Sequence, residues 1–173
     1  MRNFDSAMAA ALSSNHVPTA VYDNLINTVH DNLVHMHDYV SLRKKLLGLD
    51  QLHMYDLYTP IVQDIDMKVS YGEAWDTIIK ALAPLGEEYV TLLKEGRDSR
   101  WIDVYENQGK RSGAYSWGAY GTHPYVLLNH SDNVNSMFTL AHEMGHALHT
   151  HYSNTNQPYV YAGYTIFVAE VAS

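Results

Sequence analysis

The pattern His142-Glu143-Met144-Gly145-His146 constrains this chain more than any other feature. It lies in a run, residues 133–149, whose apolar spacing predicts a single helix. On a helix, positions four apart differ by about 40° in direction and about 6 Å in height, so both imidazoles can reach one ion. This H-E-x-x-H spacing is typical of a zinc site. The alternative is a pair of surface histidines with no metal between them.

Glu143 directly follows the first histidine, so it lies too far round the helix to be an equal third ligand. The same position puts its carboxylate beside a water that a metal would activate. We therefore predict that Glu143 is the general base of a hydrolytic reaction.

A catalytic zinc usually has three protein ligands and one open position. His149 lies about 10 Å further along the helix axis than His142, too far to share an ion whose bonds to nitrogen are about 2 Å. The extended pattern H-E-x-x-H-x-x-G-x-x-H would need Gly at position 149 and His at position 152, where this chain has His149 and Tyr152. The metzincin class is therefore excluded.

Glu170 is the one carboxylate between residues 147 and 173, and it lies in the otherwise apolar segment 164–171. An ionised carboxylate in such surroundings is costly unless it is paired or bound to a metal. We therefore expect Glu170 to be the third ligand. The alternative is a glutamate exposed at a frayed end of the chain.

Length and composition limit which kinds of function are possible for this chain. The 173 residues fit one ordinary domain or a piece of a larger one. The formal net charge of −8 argues against a nucleic-acid partner, and the absence of cysteine excludes disulfides and cysteine metal sites. The segment 1–5 lacks a signal core, and no run approaches the roughly 18 apolar residues of a membrane span. We expect a soluble, cytoplasmic protein with no membrane partner.

The pattern predicts a mainly α fold with a small β-sheet before the motif helix. We treat residues 1–173 as one partial catalytic domain with a helical part, 1–96, a sheet and glycine-rich part, 97–130, and zinc-binding helices, 131–173. In the helical part we predict a short helix from residue 5 and a helix of about 30 residues over 18–47. An irregular connection should follow over 52–67. A further helix should start at the capping box Ser70–Glu73, with a break at Pro84 and its end at Gly96. The strands are predicted within 100–105 and 125–129.

The motif helix should begin at a cap formed by Ser131 or Asp132. Its predicted core face consists of Val134, Phe138, Ala141, Gly145 and Leu148. A glycine inside a helix is unfavourable relative to alanine, so Gly145 indicates that something packs closely there. Lys110 and Arg111 could suggest a phosphate loop, but no G-x-x-x-x-G-K-[ST] pattern is present, and we interpret them as solvated cations at a strand edge.

Six segments together resemble oligoendopeptidase F, within the thimet-oligopeptidase-like zinc metallopeptidases. They are Gly109-Lys110-Arg111-Ser112-Gly113-Ala114-Tyr115-Ser116, His123-Pro124-Tyr125, Asp132-Asn133-Val134, His142 to His146, Gln157-Pro158-Tyr159 and Phe167-Val168-Ala169-Glu170-Val171-Ala172-Ser173. The resemblance covers essentially the whole chain and is far more specific than H-E-x-x-H alone.

The resemblance implies one zinc ion held by His142, His146 and Glu170, with Glu143 as the base. It also implies a helical clamshell whose deep channel admits short unfolded peptides, with the segment Gly113, Ala114, Tyr115 and Ser116 as a strand edge for substrate backbone. Members of this family are several-fold longer, with an N-terminal lobe and C-terminal helices that this sequence lacks. We therefore expect a zinc metalloendopeptidase whose isolated fragment is weak or inactive. A non-catalytic metal-binding module is the alternative.

Overall fold

The structure is a computed structural model that describes residues 3–62 and 67–173. These residues fall into two compact units, one on either side of residue 65. None of the helices in the described ranges is long and apolar enough to cross a membrane.

The first unit is helical. It contains α1 (Ala7–Ser13), α2 (Thr19–Asp31), α3 (Leu33–Leu46) and a 3-10 helix at Met54–Tyr58. Thr59 is extended before Pro60, as predicted, because the proline ring excludes the helical conformation of the preceding residue. Residues 63–66 of the predicted irregular connection lie outside the described residues.

The single helix predicted over 18–47 is wrong, because the chain forms two helices that meet at Asn32. This residue has φ −109° and ψ 8°, and its side-chain Nδ2 donates to the carbonyl oxygen of Thr28 at 2.8 Å. Asparagine side chains compete with the backbone for such hydrogen bonds, which interrupts the helical ladder. The apolar period continues through the break, so the sequence pattern did not reveal it.

The second unit contains the motif helix and the elements that pack against it. Its helices are α4 (Tyr71–Ala81), α5 (Glu87–Asp98), α6 (Val134–Asn156) and α7 (Ile166–Ala169), with 3-10 turns at Ala83–Leu85 and Tyr159–Tyr161. The predicted capping box is confirmed, since the Ser70 hydroxyl accepts from the Glu73 N–H and the Glu73 carboxylate accepts from the Ser70 N–H at 2.9 Å.

Gly96 does not end α5, contrary to the prediction, and the helix continues to Asp98. A Cβ at this position would lie 2.8 Å from the Cε of Met144 and 3.1 Å from a ring carbon of Trp101. Gly96 is therefore required for close packing of α5 on α6 rather than for a left-handed cap.

Three short strands form the sheet: β1 (Ile102–Asp103), β2 (Tyr115–Trp117) and β3 (Tyr125–Leu127). The order is β1-β3-β2, with β1 parallel and β2 antiparallel to β3. β2 is therefore an edge strand, and it packs on α6. The small sheet beside the motif helix is as predicted.

The core face of α6 differs from the predicted one. The buried apolar residues are Leu140, Met144, Ala147 and Leu148, which recur at steps of four, three and one. Phe138 is 66% exposed, because it lies two residues, or about 200°, from Leu140. Gly145 and Leu148 are buried as predicted.

The cap of α6 also differs from the prediction. Asn133, not Ser131 or Asp132, is the N-cap, and its side-chain oxygen accepts from the Ser136 N–H at 2.8 Å. The helix extends to Asn156, seven residues beyond the predicted end. The added turns carry side chains that contact the segment leading to Glu170.

Candidate active site

The two motif histidines face each other on one side of α6. Their Nε2 atoms lie 3.1 Å apart and their rings are nearly perpendicular, at 83°. His142 is exposed and His146 is half-buried, so the nitrogens are accessible from solvent. The spacing of four residues thus brings the two imidazoles together, as the sequence predicted.

Glu170 lies at the C-terminal end of α7, and its Oε2 is 3.9 Å from the Nε2 of His146. One ligand atom from each of His142, His146 and Glu170 lies within 4.8 Å of the other two. No other group of three such side chains occurs in residues 3–62 and 67–173. The chain thus brings together the three residues that the sequence analysis selected.

The donor set fits a zinc ion. Ligand atoms about 2.0 to 2.2 Å from a tetrahedral ion are separated from one another by roughly 3.2 to 3.6 Å. The separations of 3.1 Å between the two imidazole nitrogens and 3.9 Å between His146 and Glu170 lie on either side of that range. The Glu170 side chain is 58% exposed, so a small rotation can close the remaining difference. Two imidazoles and one carboxylate are also a ligand set of catalytic zinc sites.

Glu143 lies beside this group but is not part of it. It is only 6% exposed, and its Oε2 has no hydrogen-bond partner among the residues that the structure describes. Burial raises the pKa of the Glu143 carboxyl, as does the neighbouring Glu170, while His142 and His146 act in the opposite direction. A buried carboxylate with a free oxygen is suited to accept a proton from a water in the site.

Gly145 brings the end of the chain close to α6. A Cβ on Gly145 would lie 2.6 Å from the carbonyl oxygen of Ala172 and 2.8 Å from the Cα of Ser173. The close packing predicted at Gly145 is therefore confirmed. The residues that follow Glu170 lie directly over the helix that carries the two histidines.

The predicted substrate-binding segment, Gly113, Ala114, Tyr115 and Ser116, leads into and forms part of β2. Tyr115 is exposed and Ser116 is half-buried, and the edge of β2 away from β3 has no strand partner among the described residues. The Ser116 backbone N–H is close enough to Glu143 to lower the pKa of that carboxyl slightly. This edge therefore runs beside the residues of the motif.

Two cavities lie beside α6, one next to β2 and one next to the residues that precede β2. The larger, of about 590 Å³, is lined by Ser116, Trp117, His146 and Glu170 together with aromatic residues of the chain after α6. The smaller, of about 290 Å³, is lined by Gly113, Ala114 and the N-terminal part of α6. His146 and Glu170 are among the lining residues of the larger cavity, so the metal-ligand group opens onto it.

The sequence analysis missed how the loop before β2 is held. Asn129 donates through Nδ2 to the carbonyl oxygens of Arg111 at 2.9 Å and of Gly113 at 2.8 Å. Lys110 donates through Nζ to the carbonyl oxygens of Asp103 and Tyr105. The Lys110 side chain is 4% exposed, so its interpretation as a solvated cation is wrong. These two side chains fix the loop to the ends of β1 and β3.

His149 and His151 are outside the metal-ligand group, as the helix geometry predicted. His149 stacks on Tyr164 with 3.9 Å between ring centroids, and burial lowers the pKa of its imidazole. His151 stacks on Trp101 at 6.0 Å. Both imidazoles are therefore packing groups of α6.

Comparison with known proteins gives the family of this chain. The sequence matches Peptidase family M3 over residues 1–173. The chain belongs to this family. Oligopeptidase PepF of Bacillus subtilis (strain 168) is 58% identical over 173 residues, which are 100% of this chain and 26% of that protein. The oligoendopeptidase F homolog of Lactococcus lactis subsp. lactis (strain IL1403) is 48% identical over 100% of this chain and 29% of its own length.

Solved structures of two longer proteins also match nearly all of this chain. A Chlamydophila abortus structure matches 98% of this chain and 28% of its own, with a TM-score of 0.85 and 44% identity. The oligoendopeptidase-F structure from Enterococcus faecium matches 99% of this chain and 22% of its own, with a TM-score of 0.58 and 33% identity. This M3 chain therefore spans less than a third of the length of these relatives.

Proposed function

We propose that this M3 chain carries the metal centre of a zinc metalloendopeptidase that hydrolyses internal bonds of short, unfolded peptides. The observation that carries the proposal is the convergence of His142, His146 and Glu170 within 4.8 Å, with the buried Glu143 beside them. The relatives named as oligopeptidases and oligoendopeptidases support the reaction and the substrate class.

In the proposed reaction, His142, His146 and Glu170 hold one zinc ion. When bound, the ion supplies Lewis acidity, which lowers the pKa of water toward neutrality and polarises the substrate carbonyl. Glu143 accepts the proton of the attacking water on its free carboxylate oxygen and then donates it to the leaving amine. Burial raises the pKa of Glu143, which makes its carboxylate a stronger base toward the water than an exposed glutamate would be.

The edge of β2 is the proposed binding surface for the substrate backbone. An extended peptide can add to an open strand edge through backbone hydrogen bonds, whereas a folded protein has few free strands to offer. The exposed side chains of Tyr115 and Trp117 project from β2 where they can contact substrate side chains. The larger cavity, which His146 and Glu170 line, offers space for substrate next to the metal-ligand group. The cytoplasmic location expected from the sequence remains a prediction.

Two measurements test the proposal. Elemental analysis of the purified protein should find one zinc per chain, and His146→Ala should abolish it. An internally quenched peptide should be cleaved by a protein of the relatives' length that contains this chain, and the cleavage should disappear on chelation. Absence of zinc would contradict the metal centre. Zinc without cleavage would favour a non-catalytic metal-binding module instead.

A further inference from the structure

Tyr164 is attached to α6 by two contacts, one polar and one aromatic. Its hydroxyl lies 2.5 Å from the Oγ1 of Thr150, and its ring stacks on His149 with 3.9 Å between centroids and an interplanar angle of 16°. Both partners are on α6, one turn after His146. Tyr164 therefore fixes the returning chain at a point three to four residues from a metal ligand.

Glu170 follows Tyr164 by six residues, and little else holds the segment between them. α7 has four residues, fewer than an isolated helix needs to be stable. Ile166 is 70% exposed, and Phe167 and Val168 are also exposed, so no buried apolar face fixes α7. Among the described residues, the Glu170 carboxylate accepts no hydrogen bond, and its nearest charged neighbour is His146 at 3.9 Å.

Before this segment, the Ser153 hydroxyl of α6 donates to the carbonyl oxygen of Ala162 at 2.6 Å. From Tyr164 onward, two described contacts with α6 hold the residues around Glu170. One is the Tyr164 anchor, formed with His149 and Thr150. The other is the close approach of Ala172 and Ser173 to Gly145. Release of either point would allow the backbone around Glu170 to sample many conformations, and ordering it again on metal binding would be entropically unfavourable.

We propose that Tyr164 is a positioning residue that sets the metal affinity of the site by holding Glu170 beside His142 and His146. The inference rests on the proposed function, because it assumes that these three residues bind zinc. Tyr164 acts through Glu170 and does not itself touch the ion. Residues outside the ligand set that orient a ligand typically change metal affinity by about 10- to 100-fold when they are replaced.

The test measures zinc affinity by competition with a chromophoric chelator, so it needs no peptidase activity. Tyr164→Phe and Thr150→Val each remove one partner of the hydroxyl contact and retain the side-chain shape, and each should weaken zinc binding by about tenfold. Tyr164→Ala also removes the stack on His149 and should approach the affinity of Glu170→Gln. Tyr161→Phe and Tyr161→Ala are matched controls, because Tyr161 is an exposed tyrosine three residues earlier, and they should bind zinc as the wild type does.

A double-mutant cycle separates positioning from a general loss of structure. If Tyr164 acts only through Glu170, then Tyr164→Ala should have no further effect on zinc affinity in a Glu170→Gln background. With Co²⁺ in place of zinc, the visible absorption spectrum of Tyr164→Ala should match that of Glu170→Gln. Additive losses in the double variant, with a wild-type cobalt spectrum for Tyr164→Ala, would overturn the positioning role.

The outcomes distinguish this inference from the proposed function. If the wild type binds no zinc, the metal centre fails and the positioning role fails with it. If the wild type binds zinc through His142, His146 and Glu170, and both Tyr164 variants bind it equally tightly, the positioning role alone is wrong. Tyr164→Phe keeps the ring and so keeps the test informative even if Tyr164→Ala does not fold.

Discussion

Gly145 and Ala172 approach so closely that a Cβ on the glycine would lie 2.6 Å from the carbonyl oxygen of the alanine. This contact joins the helix of the two histidines to the residues that immediately follow Glu170. The neighbouring group is backbone, so it cannot rotate away as a side chain would. The identity of residue 145 is therefore coupled to the position of the third ligand.

Gly145→Ala should weaken zinc binding by about tenfold, an effect of the size seen when groups that orient a metal ligand are changed. Alanine favours helix formation by up to about 1 kcal/mol relative to glycine, so the helix itself should not be disrupted. Circular dichroism checks that the helix is intact, and a zinc competition titration measures the change in zinc affinity. Gly72→Ala is a suitable control, because a Cβ at Gly72 meets nothing within 4 Å. A Gly145→Ala variant with wild-type zinc affinity would contradict the proposed coupling.

In a protein of the relatives' length that contains this chain, Glu143→Gln should retain zinc and lose peptidase activity by about 10²- to 10⁴-fold, the usual contribution of a general base. The amide has nearly the same shape as the carboxylate but cannot accept a proton from water at neutral pH. The measurement is kcat/KM on an internally quenched peptide, with zinc content determined on the same preparation. High activity in fully zinc-loaded Glu143→Gln would remove Glu143 from the role of base.

In the same longer protein, Asn129→Asp should raise KM for peptides and leave zinc affinity unchanged. The substitution keeps the shape of the side chain but places a carboxylate oxygen opposite the carbonyl oxygens of Arg111 and Gly113, where an N–H group now donates. The loop before β2 should then shift, and with it the strand edge to which substrate is proposed to add. Asn107→Asp is the control, since its amide makes one long contact of 3.5 Å in an exposed position. Equal KM values for wild type and Asn129→Asp would show that the loop does not position this edge.

Lys110→Met should lower the free energy of unfolding by about 1 to 3 kcal/mol. The buried Nζ donates to the carbonyl oxygens of Asp103 and Tyr105, and removing the donor leaves those acceptors without a partner. Urea denaturation followed by circular dichroism measures the change. Arg111→Met provides a comparison at the next position, where the side chain is exposed, and a change within about 0.5 kcal/mol is expected there. Similar values for the two variants would argue against a structural role of Lys110.

The local geometry of the metal-ligand group could be predicted from sequence because it depends on the helical period. Four residues of α6 separate the two histidines, and any regular helix brings such a pair together. Glu170 was found for another reason, the cost of an ionised side chain in an apolar segment. That argument identified the residue but not its path. The sequence indicated close packing at Gly145 without naming the partner, and the contacts of Tyr164 have no sequence signature.

The sequence predictions were wrong where tertiary contacts or single side chains outweigh the apolar spacing and the residue type. The apolar period runs through Asn32, yet one side-chain hydrogen bond to Thr28 accompanies a break there. Phe138 was placed in the core face by its helical spacing from Ala141 and Gly145, but α6 turns Leu140 and Met144 inward instead. Lys110 was judged from its charge, and its buried contacts with two carbonyl groups depend on a loop conformation that no short pattern indicates.

The shortness of β2 has a consequence for the behaviour of the protein in concentrated solution. An unpaired strand edge invites other chains to extend the sheet, and long flat edges lead to aggregation. β2 has only three residues, so it offers a contact of about 10 Å, room for roughly one register of backbone pairing. An edge of that length can receive a single extended peptide while giving two copies of the protein too little surface to join their sheets.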